Sequence, residues 1–536
     1  MTGGDSGSVG FADAIIEALA CRDYAVAFSR LSRLLGDRPH LLTQAEVWAR
    51  LFNGPAWFDS RDEPETYLEY ATDVARHLCG RLRALGDAQL RRSIANAFVN
   101  GAHFRLAAHS EGDPRPLMRA RAELFGIVLE PLAALREFEF PAPAAATRMP
   151  RLGVLFRHLA QDPETTSVLP FFEDARAHGI EVVLFVGSDW TDPAFADYVV
   201  PRCDRVARLA DGLPEAITQL RAADLDILLF GNDITAKPSL FAYLSFFRLA
   251  RISCCCVSTL VTTASQAVDV YFGCPYYESL GFATQFQERF VALPDPGFAF
   301  SIPNRASPDA VQVSRQQLGL RDDQVVIASG ANFWKLHRGL LEVWATILNH
   351  CENAVLLLYP FPPHFGGTRE DVAERVRRHF AEFGVDSSRI VIVSTLPRDT
   401  AVAMLRVADI GLDSFPYTGV TTIVDAVEAG LPTVTLRGHA LRSSQGAAIL
   451  HSAGLTGLIA ESVDAYESLA GKLLLDSDFR SRMRAEVADA ALRIPKFFRA
   501  EEFSAHAARA YLDLHCALAA GAGTLHRRAP VAGTES

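Results

Sequence analysis

Short apolar runs alternate with helical segments from Arg151 onward, and this alternation constrains the fold more than any other feature. A first set of runs is RLGVLF, EVVLFV, LDILLF, ISCCCV, VDVYF and RFVAL. After the break PDPGFAFSIPNRASPD, a second set is VVIAS, AVLLLY, IVIV, ADIGLD and TVTL. Such alternation is typical of βαβ units in a mostly parallel sheet. The two sets therefore predict two Rossmann-like domains, whose ligands bind beyond the carboxyl ends of the strands, in the cleft between the domains.

A helical region precedes these two domains. From residue 11 to about 138, apolar residues recur at i, i+3 and i+4, and we find no convincing repeat of about 34 residues. The segment FPAPAAATRMP predicts a linker, and AGAGTLHRRAPVAGTES predicts a disordered tail. We therefore predict an α/β fold in which two Rossmann-like domains follow an all-α domain. The predicted boundaries are 1–145 for the helical domain, 146–310 and 311–520 for the Rossmann-like domains, and 521–536 for the tail.

Composition and charge exclude several classes of protein. Because single cores stop growing near ~250 to 300 residues, a chain of 536 residues predicts two or three domains. The net charge of −11 argues against nucleic acid as a partner. We see no secretory signal and no run of about 20 apolar residues that spans a bilayer, and we expect a cytoplasmic protein. The nine Cys lack metal-ligand spacing, and we predict that Cys254, Cys255 and Cys256 are small residues of a buried strand.

The segment DSFPYTGVTTIVDAVEAGLP, residues 413–432, predicts a strand end, a Gly/Thr turn and a helix. Backbone N–H groups of the turn at Gly419 and the positive end of the helix dipole form a site for phosphate, to which Thr421 and Thr422 add hydroxyl donors. Asp425 follows on the same helical face, where its carboxylate can accept hydrogen bonds from the hydroxyls of a sugar. The structural alternative is an ordinary helix capped by a threonine.

Two cationic residues follow other strands of the second set. The loop SGANFWKLH places Asn332 and Lys335 at the carboxyl end of the first strand, where a lysine can neutralise a diphosphate and replace a metal ion. Arg398, in STLPRDTAVAML, is a candidate second cation beyond a neighbouring strand. The alternative for both residues is an ordinary exposed charge on a loop.

Acidic side chains follow the first strand of the first set. The loop FRHLAQDPETTS contains His158, Asp162 and Glu164, and either carboxylate is a candidate base that takes a proton from an acceptor hydroxyl or amide. The alternative for each carboxylate is a helix cap. The chain has no GxxxxGK[ST] or GxGxxG at a strand–helix junction, and no GxSxG or HExxH, which argues against kinases, dehydrogenases, hydrolases and metalloproteases.

Three segments resemble a known family in order and spacing. They are FFRLARISCCCVSTLVTTASQAVDVYF with FQERFVALPDPGF, then SGANFWKLHRGLLEVWATIL, then ADIGLDSFPYTGVTTIVDAVEAGLPTVTLRGHALRSSQGAAILHSAGLTGLIA. Together they resemble the protein O-GlcNAc transferase family, with its SPINDLY-type O-fucosyltransferases and bacterial adhesin N-glucosyltransferases, over about residues 150–490. The resemblance implies an inverting, metal-independent glycosyltransferase of GT-B architecture. It also implies a UDP- or GDP-linked sugar as co-substrate, no further cofactor, and a protein or peptide acceptor.

The resemblance assigns roles to residues that match the family motifs. By this resemblance, Lys335 holds the diphosphate beside Asn332, Thr421 and Thr422 contact phosphate, and Asp425 binds the ribose. These roles agree with those argued from the residues alone. The second α/β domain is accordingly expected to bind the nucleotide sugar, and the first to lie on the acceptor side.

Some positions depart from the family pattern. Arg398 stands where O-GlcNAc transferases have a lysine. The family's Gly-His-Pro is replaced by Ser258, Thr259 and Leu260. A second family histidine falls near Glu164 or Pro163, and a third falls near Ala401. Three hypotheses therefore stay open: a protein glycosyltransferase with Glu164 or Asp162 as base, a catalytically degenerate scaffold that binds a nucleotide or a partner, and an enzyme with a polysaccharide or metabolite acceptor.

Overall fold

The computed structural model describes residues 6–55, 57–141, 148–187, 191–303, 311–361, 369–394 and 396–519. The predicted tail at 521–536 and most of the predicted linker lie outside these residues. The N-terminal region is helical, as predicted. Its helices are α1 (Ser6–Ala20), α2 (Tyr24–Asp37), α3 (Ala45–Phe52), α4 (Glu63–Ala84), α5 (Ala88–Gly101), α6 (Arg115–Val128) and α7 (Ala133–Arg136).

Aromatic rings and caps explain why these helices form and pack. Trp48 of α3 is fully buried, and its ring lies 5.0 Å from that of Phe98 on α5. Such edge-on aromatic pairs add to the free energy gained from burial. Asp87 caps α5, because its carboxylate accepts hydrogen bonds from the N–H groups of Gln89 and Leu90.

The first α/β domain follows from Arg151. Its strands are β1 (Arg151–Phe156), β2 (Glu181–Val186), β3 (Arg205–Arg208), β4 (Ile227–Phe230), β5 (Ile252–Cys255), β6 (Val270–Gly273) and β7 (Arg289–Ala292). Its helices are α8 (Pro163–Val168), α9 (Pro193–Val199), α10 (Leu213–Ala222), α11 (Leu240–Leu244) and α12 (Pro275–Ser279). The strands pair in the order β3-β2-β1-β4-β5-β6-β7, and the pairs are parallel.

The second α/β domain repeats this design. Its strands are β8 (Val325–Ser329), β9 (Ala354–Phe361), β10 (Ile390–Ser394), β11 (Ile410–Leu412), β12 (Thr433–Leu436) and β13 (Ile459–Ala460). Its helices are α13 (Arg338–Asn349), α14 (Arg369–Glu382), α15 (Arg398–Arg406), α16 (Thr421–Glu428), α17 (Gln445–Ser452), α18 (Val463–Leu475) and α19 (Ser477–Leu492). The order is β10-β9-β8-β11-β12-β13, again with parallel pairs.

The predicted fold class is confirmed, and so is the burial of the three consecutive cysteines. Cys254, Cys255 and Cys256 are each fully buried, and burial raises the pKa of the Cys256 thiol to about 11. Sequence patterning missed β3 and β13. The side chains of β3 are mostly exposed and include arginines at both ends, whereas β13 has only two residues. Neither strand has the apolar run by which the others are recognised.

The last helix, α20 (Ala500–Ala519), returns to the first α/β domain. The ring of Phe503 lies 5.0 Å from that of Phe171, and the Ser504 hydroxyl donates to the carbonyl of Pro170 at 2.5 Å. We predicted that the chain up to residue 520 belongs to the second domain, so α20 departs from that division. Its apolar face packs on the first domain. The periodicity of apolar residues predicts a helix here but does not indicate on which domain the helix packs. None of the described helices is long and apolar enough to cross a membrane.

Candidate active site

The site lies where the strand order of each sheet reverses. In the first sheet this point is between β1 and β4, and in the second it is between β8 and β11. In open parallel sheets, ligands bind outside the carboxyl ends of the strands at such a point. The loop with Lys335 follows β8, the turn at residues 413–422 follows β11, and helix α8 with Glu164 follows β1. The topology therefore places Lys335, the 413–422 turn and Glu164 at the two switch points, whereas Arg398 follows the edge strand β10.

Asp413 holds the 413–422 turn together from inside. Its Oδ1 accepts hydrogen bonds from the N–H groups of Ser414 at 2.9 Å and Gly419 at 2.7 Å, and its Oδ2 accepts one from the Thr435 hydroxyl at 2.7 Å. Burial raises the pKa of the Asp413 carboxyl to about 6, although Lys335 opposes this shift. Because its three hydrogen bonds tie Ser414 and Gly419 of the turn to Thr435 of β12, we assign Asp413 a structural role in shaping the turn.

Two glycines leave room for the side chain of Thr422 at the start of α16. A Cβ at Gly419 would lie 2.2 Å from Oγ1 of Thr422, and a Cβ at Gly330 would lie 2.5 Å from Cγ2 of the same threonine. Both distances are shorter than atoms tolerate, so neither position accepts a larger residue without movement. The side chain of Thr422 thus packs against Gly330, which follows β8 in the loop that also carries Lys335.

Helix α16 starts at this turn without a side-chain cap. Its N-cap position is Val420, and no side-chain hydrogen bond caps the helix. The structure therefore contradicts the alternative in which a threonine caps this helix. Thr421 and Thr422 stand at the first two helical positions and are half-buried. The first turn of α16 presents its positive dipole end and two hydroxyl groups, which is the arrangement that binds a phosphate.

Lys335 reaches the same turn from the loop after β8. Its Nζ donates to the carbonyl of Thr418 at 2.7 Å and lies 4.1 Å from the ring centre of Tyr417 and 5.8 Å from that of Trp334. Burial lowers the pKa of the Lys335 ammonium to about 8, and Asp413 opposes the shift. Lys335 is therefore positioned to neutralise an anionic group at the start of α16.

Asn332 begins the short 3-10 turn that carries Lys335. Its Oδ1 is buried, and among the described residues it has no hydrogen-bond partner. Buried polar atoms are rarely left without a partner in native proteins. The amide therefore remains available to a ligand beside Lys335.

Arg398 was a candidate second cation, with an ordinary exposed loop charge as the alternative. The structure does not support that alternative. Arg398 begins α15, and its Nη2 lies 2.7 Å from Oδ1 of Asp425 and 2.5 Å from Oε2 of Glu428. Burial lowers the pKa of its guanidinium, but the two carboxylates outweigh burial and the net shift is upward. Arg398 thus fixes the Asp425 carboxylate on α16, and its positive charge is balanced by two acids.

Glu164 and Asp162 have different surroundings in the first domain. Asp162 caps α8 by accepting from the Thr165 N–H at 2.8 Å, and its other oxygen lies 2.8 Å from Nε2 of His158. Glu164 instead crosses to the turn after β4, where it accepts from Nδ2 of Asn232 at 2.8 Å and from the N–H of Asp233 at 2.6 Å. Burial raises the pKa of the Glu164 carboxyl. The capping alternative therefore describes Asp162 and not Glu164.

The helical domain adds residues to the site that sequence reasoning missed. His109 is fully buried, and its ring lies 5.3 Å from that of Trp334 and 6.1 Å from that of Tyr417. Burial lowers the pKa of the His109 imidazole well below its usual range, and nearby positive charges lower it further. The imidazole is therefore neutral. Neither ring nitrogen has a hydrogen-bond partner in the part of the chain that the structure describes.

Arg442 joins the helical domain to the 413–422 turn. Its Nη2 donates to the carbonyls of Ser110 at 2.5 Å and Gly112 at 2.9 Å, and its Nε donates to Ser110 at 2.9 Å. Its own carbonyl accepts from the N–H of Thr418 at 3.3 Å. No motif or periodicity marks this contact, because its partners are more than 300 residues apart in the sequence.

The chain is similar to known glycosyltransferases. Residues 301–506 match the model described as Glycosyl transferase family 41. The UDP-N-acetylglucosamine–peptide N-acetylglucosaminyltransferase of Caenorhabditis elegans is 31% identical over 186 residues, which are 35% of this chain and 15% of that protein. The probable UDP-N-acetylglucosamine–peptide N-acetylglucosaminyltransferase SPINDLY of Petunia hybrida is 29% identical over 209 residues, which are 39% of this chain and 22% of that protein.

A solved structure shares the fold over nearly the whole chain. The structure of a mutant O-GlcNAc transferase from Thermobaculum terrenum has a TM-score of 0.63 at 20% identity, and the match covers 98% of this chain and 100% of that one. The family resemblance predicted from the sequence is therefore confirmed over residues 301–506, and the shared fold confirms the GT-B architecture. The matched regions span only 15% and 22% of the two curated relatives.

Proposed function

We propose that this protein is a cytoplasmic, inverting and metal-independent glycosyltransferase. In this proposal it moves a sugar from a UDP- or GDP-linked donor to a protein or peptide side chain. The observation that carries the proposal is the position of Lys335, whose ammonium meets the 413–422 turn beside the uncapped start of α16. Both features lie within the region that matches Glycosyl transferase family 41.

The donor diphosphate would lie between Lys335 and the first turn of α16, with Thr421 and Thr422 donating hydroxyl hydrogen bonds to phosphate oxygens. Asp425 would accept hydrogen bonds from the ribose hydroxyls, while Arg398 holds its carboxylate in place. A cation at this place stabilises the charge that develops on the diphosphate as it leaves.

The transfer would be a single displacement at the anomeric carbon. The acceptor oxygen or nitrogen forms a bond to that carbon while the bond to the diphosphate oxygen breaks, and the electron pair leaves with the diphosphate. Glu164 is our first candidate for the base that takes the acceptor proton, because burial raises its pKa and a higher pKa makes a stronger base. Asp162 is the second candidate, through its contact with His158.

One observation favours a different function, a degenerate relative that binds a nucleotide or a partner without catalysis. Ser258, Thr259 and Leu260 replace the Gly-His-Pro that the family has after a strand of the first domain. Turnover of a nucleotide sugar by the purified protein with an acceptor would reject this alternative. If lysate proteins gained no mass and a polysaccharide or metabolite were glycosylated instead, the acceptor class in our proposal would be wrong.

The proposal is tested by nucleotide binding. Calorimetric titration with UDP, GDP and CMP should show binding of one of the first two, and Lys335→Ala should weaken that binding at least about a hundredfold, as expected for loss of a charge-assisted contact in a desolvated site. Lys472→Ala is a matched control, because Lys472 also lies over an aromatic ring in the same domain, at 4.0 Å from Phe479, but away from the turn. Absence of binding by all three nucleotides, or equal binding by Lys335→Ala and the unaltered protein, would sink the proposal.

A further inference from the structure

A segment of the helical domain crosses the cleft between the two α/β domains. We call residues 104–112 the bridging segment. At one end, the N–H of Phe104 donates at 2.8 Å to the carbonyl of Ala236, which follows β4 of the first domain. At the other end, the carbonyl of Ser110 accepts at 2.9 Å from Nε of Arg442, which follows β12 of the second domain. The bridging segment therefore lies at the carboxyl ends of both sheets, where the candidate site is.

His109 belongs to the bridging segment and contacts the loop that carries Lys335. Its ring lies 5.3 Å from that of Trp334 and 6.1 Å from that of Tyr417, and these two rings lie 5.0 Å apart. The ammonium of Lys335 lies 4.1 Å from the centre of the Tyr417 ring and 5.8 Å from that of Trp334. Three rings in mutual contact thus connect His109 to the residue that holds the donor diphosphate in the proposed function.

Polar atoms without partners occur on both sides of this contact. Neither ring nitrogen of His109 has a hydrogen-bond partner among the described residues, although the residue is only 1% exposed. In the Lys335 loop, Oδ1 of Asn332 is buried and likewise lacks a partner in the described part of the chain. Native proteins rarely leave buried polar atoms unpaired, so three such atoms around one loop indicate a ligand site.

A second buried histidine, next to the same loop, shows what a purely structural role requires. His337 is also 1% exposed, but both of its ring nitrogens have partners. Its Nε2 donates to the carbonyl of Phe415 at 2.8 Å, and its Nδ1 accepts from the N–H of Leu340 at 3.3 Å. Packing alone does not explain the imidazole of His109, because an apolar ring would fill the space without burying two unpaired polar atoms.

The hydrogen-bonding capacity of these atoms matches sugar hydroxyls better than phosphate oxygens. Burial lowers the pKa of His109 well below its usual range, so its neutral ring has one N–H donor and one acceptor nitrogen. Oδ1 of Asn332 is an acceptor only. Two of the three atoms therefore need a hydrogen-bond donor, which a hydroxyl group offers and an ionised phosphate does not. The charge of the diphosphate is also met already by Lys335 and the start of α16 in the proposed function.

We propose that His109 forms hydrogen bonds with hydroxyl groups of the sugar that the donor carries, so that the helical domain supplies part of the donor site. This inference rests on the proposed function and assigns a residue to the sugar of the donor. The N–H of the imidazole donates to one hydroxyl oxygen, and the other nitrogen accepts from a hydroxyl. Because His109 is buried in the protein without ligand, the sugar reaches the imidazole as the half-buried side chain of Trp334 turns aside.

Binding of nucleotides with and without a sugar tests the inference without requiring turnover. Calorimetric titrations compare UDP and GDP with UDP-glucose, UDP-N-acetylglucosamine, GDP-mannose and GDP-fucose. In His109→Phe, the affinity for the nucleotide sugar that the unaltered protein binds best should fall about tenfold, because sugar hydroxyls lose their partners in a buried site. The affinity for the free nucleotide should stay within about twofold, since only the sugar loses a contact. His109→Met should give the same pattern, and it replaces His109→Phe if the larger ring prevents folding.

His379→Phe is the matched control. His379 is 7% exposed, and its ring stacks at 5.2 Å on that of Trp57 from the helical domain. The control thus makes the same change at another contact between the helical domain and the second α/β domain, and it should bind the nucleotide sugar as the unaltered protein does.

Three results would overturn the inference: unchanged affinity of both His109 variants for the nucleotide sugar, an equal loss of affinity for the free nucleotide, or an equal loss in His379→Phe. In each case, nucleotide binding that depends on Lys335 would leave the proposed function standing. Absence of nucleotide binding by the unaltered protein would contradict both.

Discussion

Lys335 should make nucleotide binding depend on pH in the alkaline range. Burial lowers the pKa of its ammonium to about 8 in the protein without ligand. A bound diphosphate favours the charged form and raises this pKa, so that only the protonated lysine binds well. Binding should therefore be strong below the pKa and weaken as the pH rises through it.

The magnitude follows from the pKa. If only the charged form binds, the dissociation constant rises about tenfold between about pH 7 and about pH 9, and by roughly twofold in the first half of that interval. At about pH 8 the protein should take up about half a proton for each nucleotide bound. Calorimetry in buffers of different ionisation enthalpy measures both quantities.

Neighbouring groups do not titrate in this range in the protein without ligand. Burial lowers the pKa of His337 to about 4 and that of His109 well below its usual range, while burial raises that of Asp413 to about 6. The terminal phosphate of the nucleotide, with a second pKa of about 6, is also ionised. The pH dependence therefore reports on Lys335.

The matched control is Lys335→Arg, whose guanidinium stays charged over the whole range. Its affinity for the nucleotide should be lower, because the shape differs, but almost independent of pH. A flat affinity profile for the unaltered protein, or an equally steep profile for Lys335→Arg, would refute the reasoning.

Further predictions concern the turn, the proposed ribose contact of Asp425 and the helical domain. Gly419→Ala should weaken nucleotide binding by about tenfold or more, because the new Cβ would lie 2.2 Å from a threonine oxygen, whereas Gly457→Ala, with no atom within 4 Å, should not. Asp425→Asn should weaken binding by about tenfold in the same titration, and Glu428→Gln, which alters the same arginine contact, by less than about threefold. Arg442→Met should lower the free energy of unfolding by roughly 3 kcal/mol in urea titrations, because carbonyls of the helical domain lose their donor; an unchanged midpoint would contradict its role.

Sequence reasoning predicted the features that depend on neighbouring residues. The apolar runs of β1 and β8 and the Gly/Thr turn before α16 are all local, and the parallel topology then fixes where their carboxyl ends meet. The position of Lys335 beyond the carboxyl end of β8 was therefore predictable. Its hydrogen bond to Thr418 followed only from the structure.

Long-range contacts could not be predicted in the same way. The return of α20 to the first domain, the burial of His109 beside Trp334 and the hydrogen bonds of Arg442 join distant parts of the chain. In each case the neighbouring residues in the sequence form no motif or periodicity that marks the side chain as one that makes a long-range contact. Arg398 shows the same limit, since its ion pairs with Asp425 and Glu428 appear only once α15 and α16 pack together.

Mass spectrometry of a transfer reaction tests the central claim most directly. The purified protein is incubated with a panel of UDP- and GDP-linked sugars and lysate proteins, in parallel with Lys335→Ala and Lys472→Ala. We predict that one donor adds a single glycosyl residue to acceptor side chains, with Lys335→Ala inactive and Lys472→Ala active. No glycosylated peptide with any donor, or equal glycosylation by Lys335→Ala, would contradict the account.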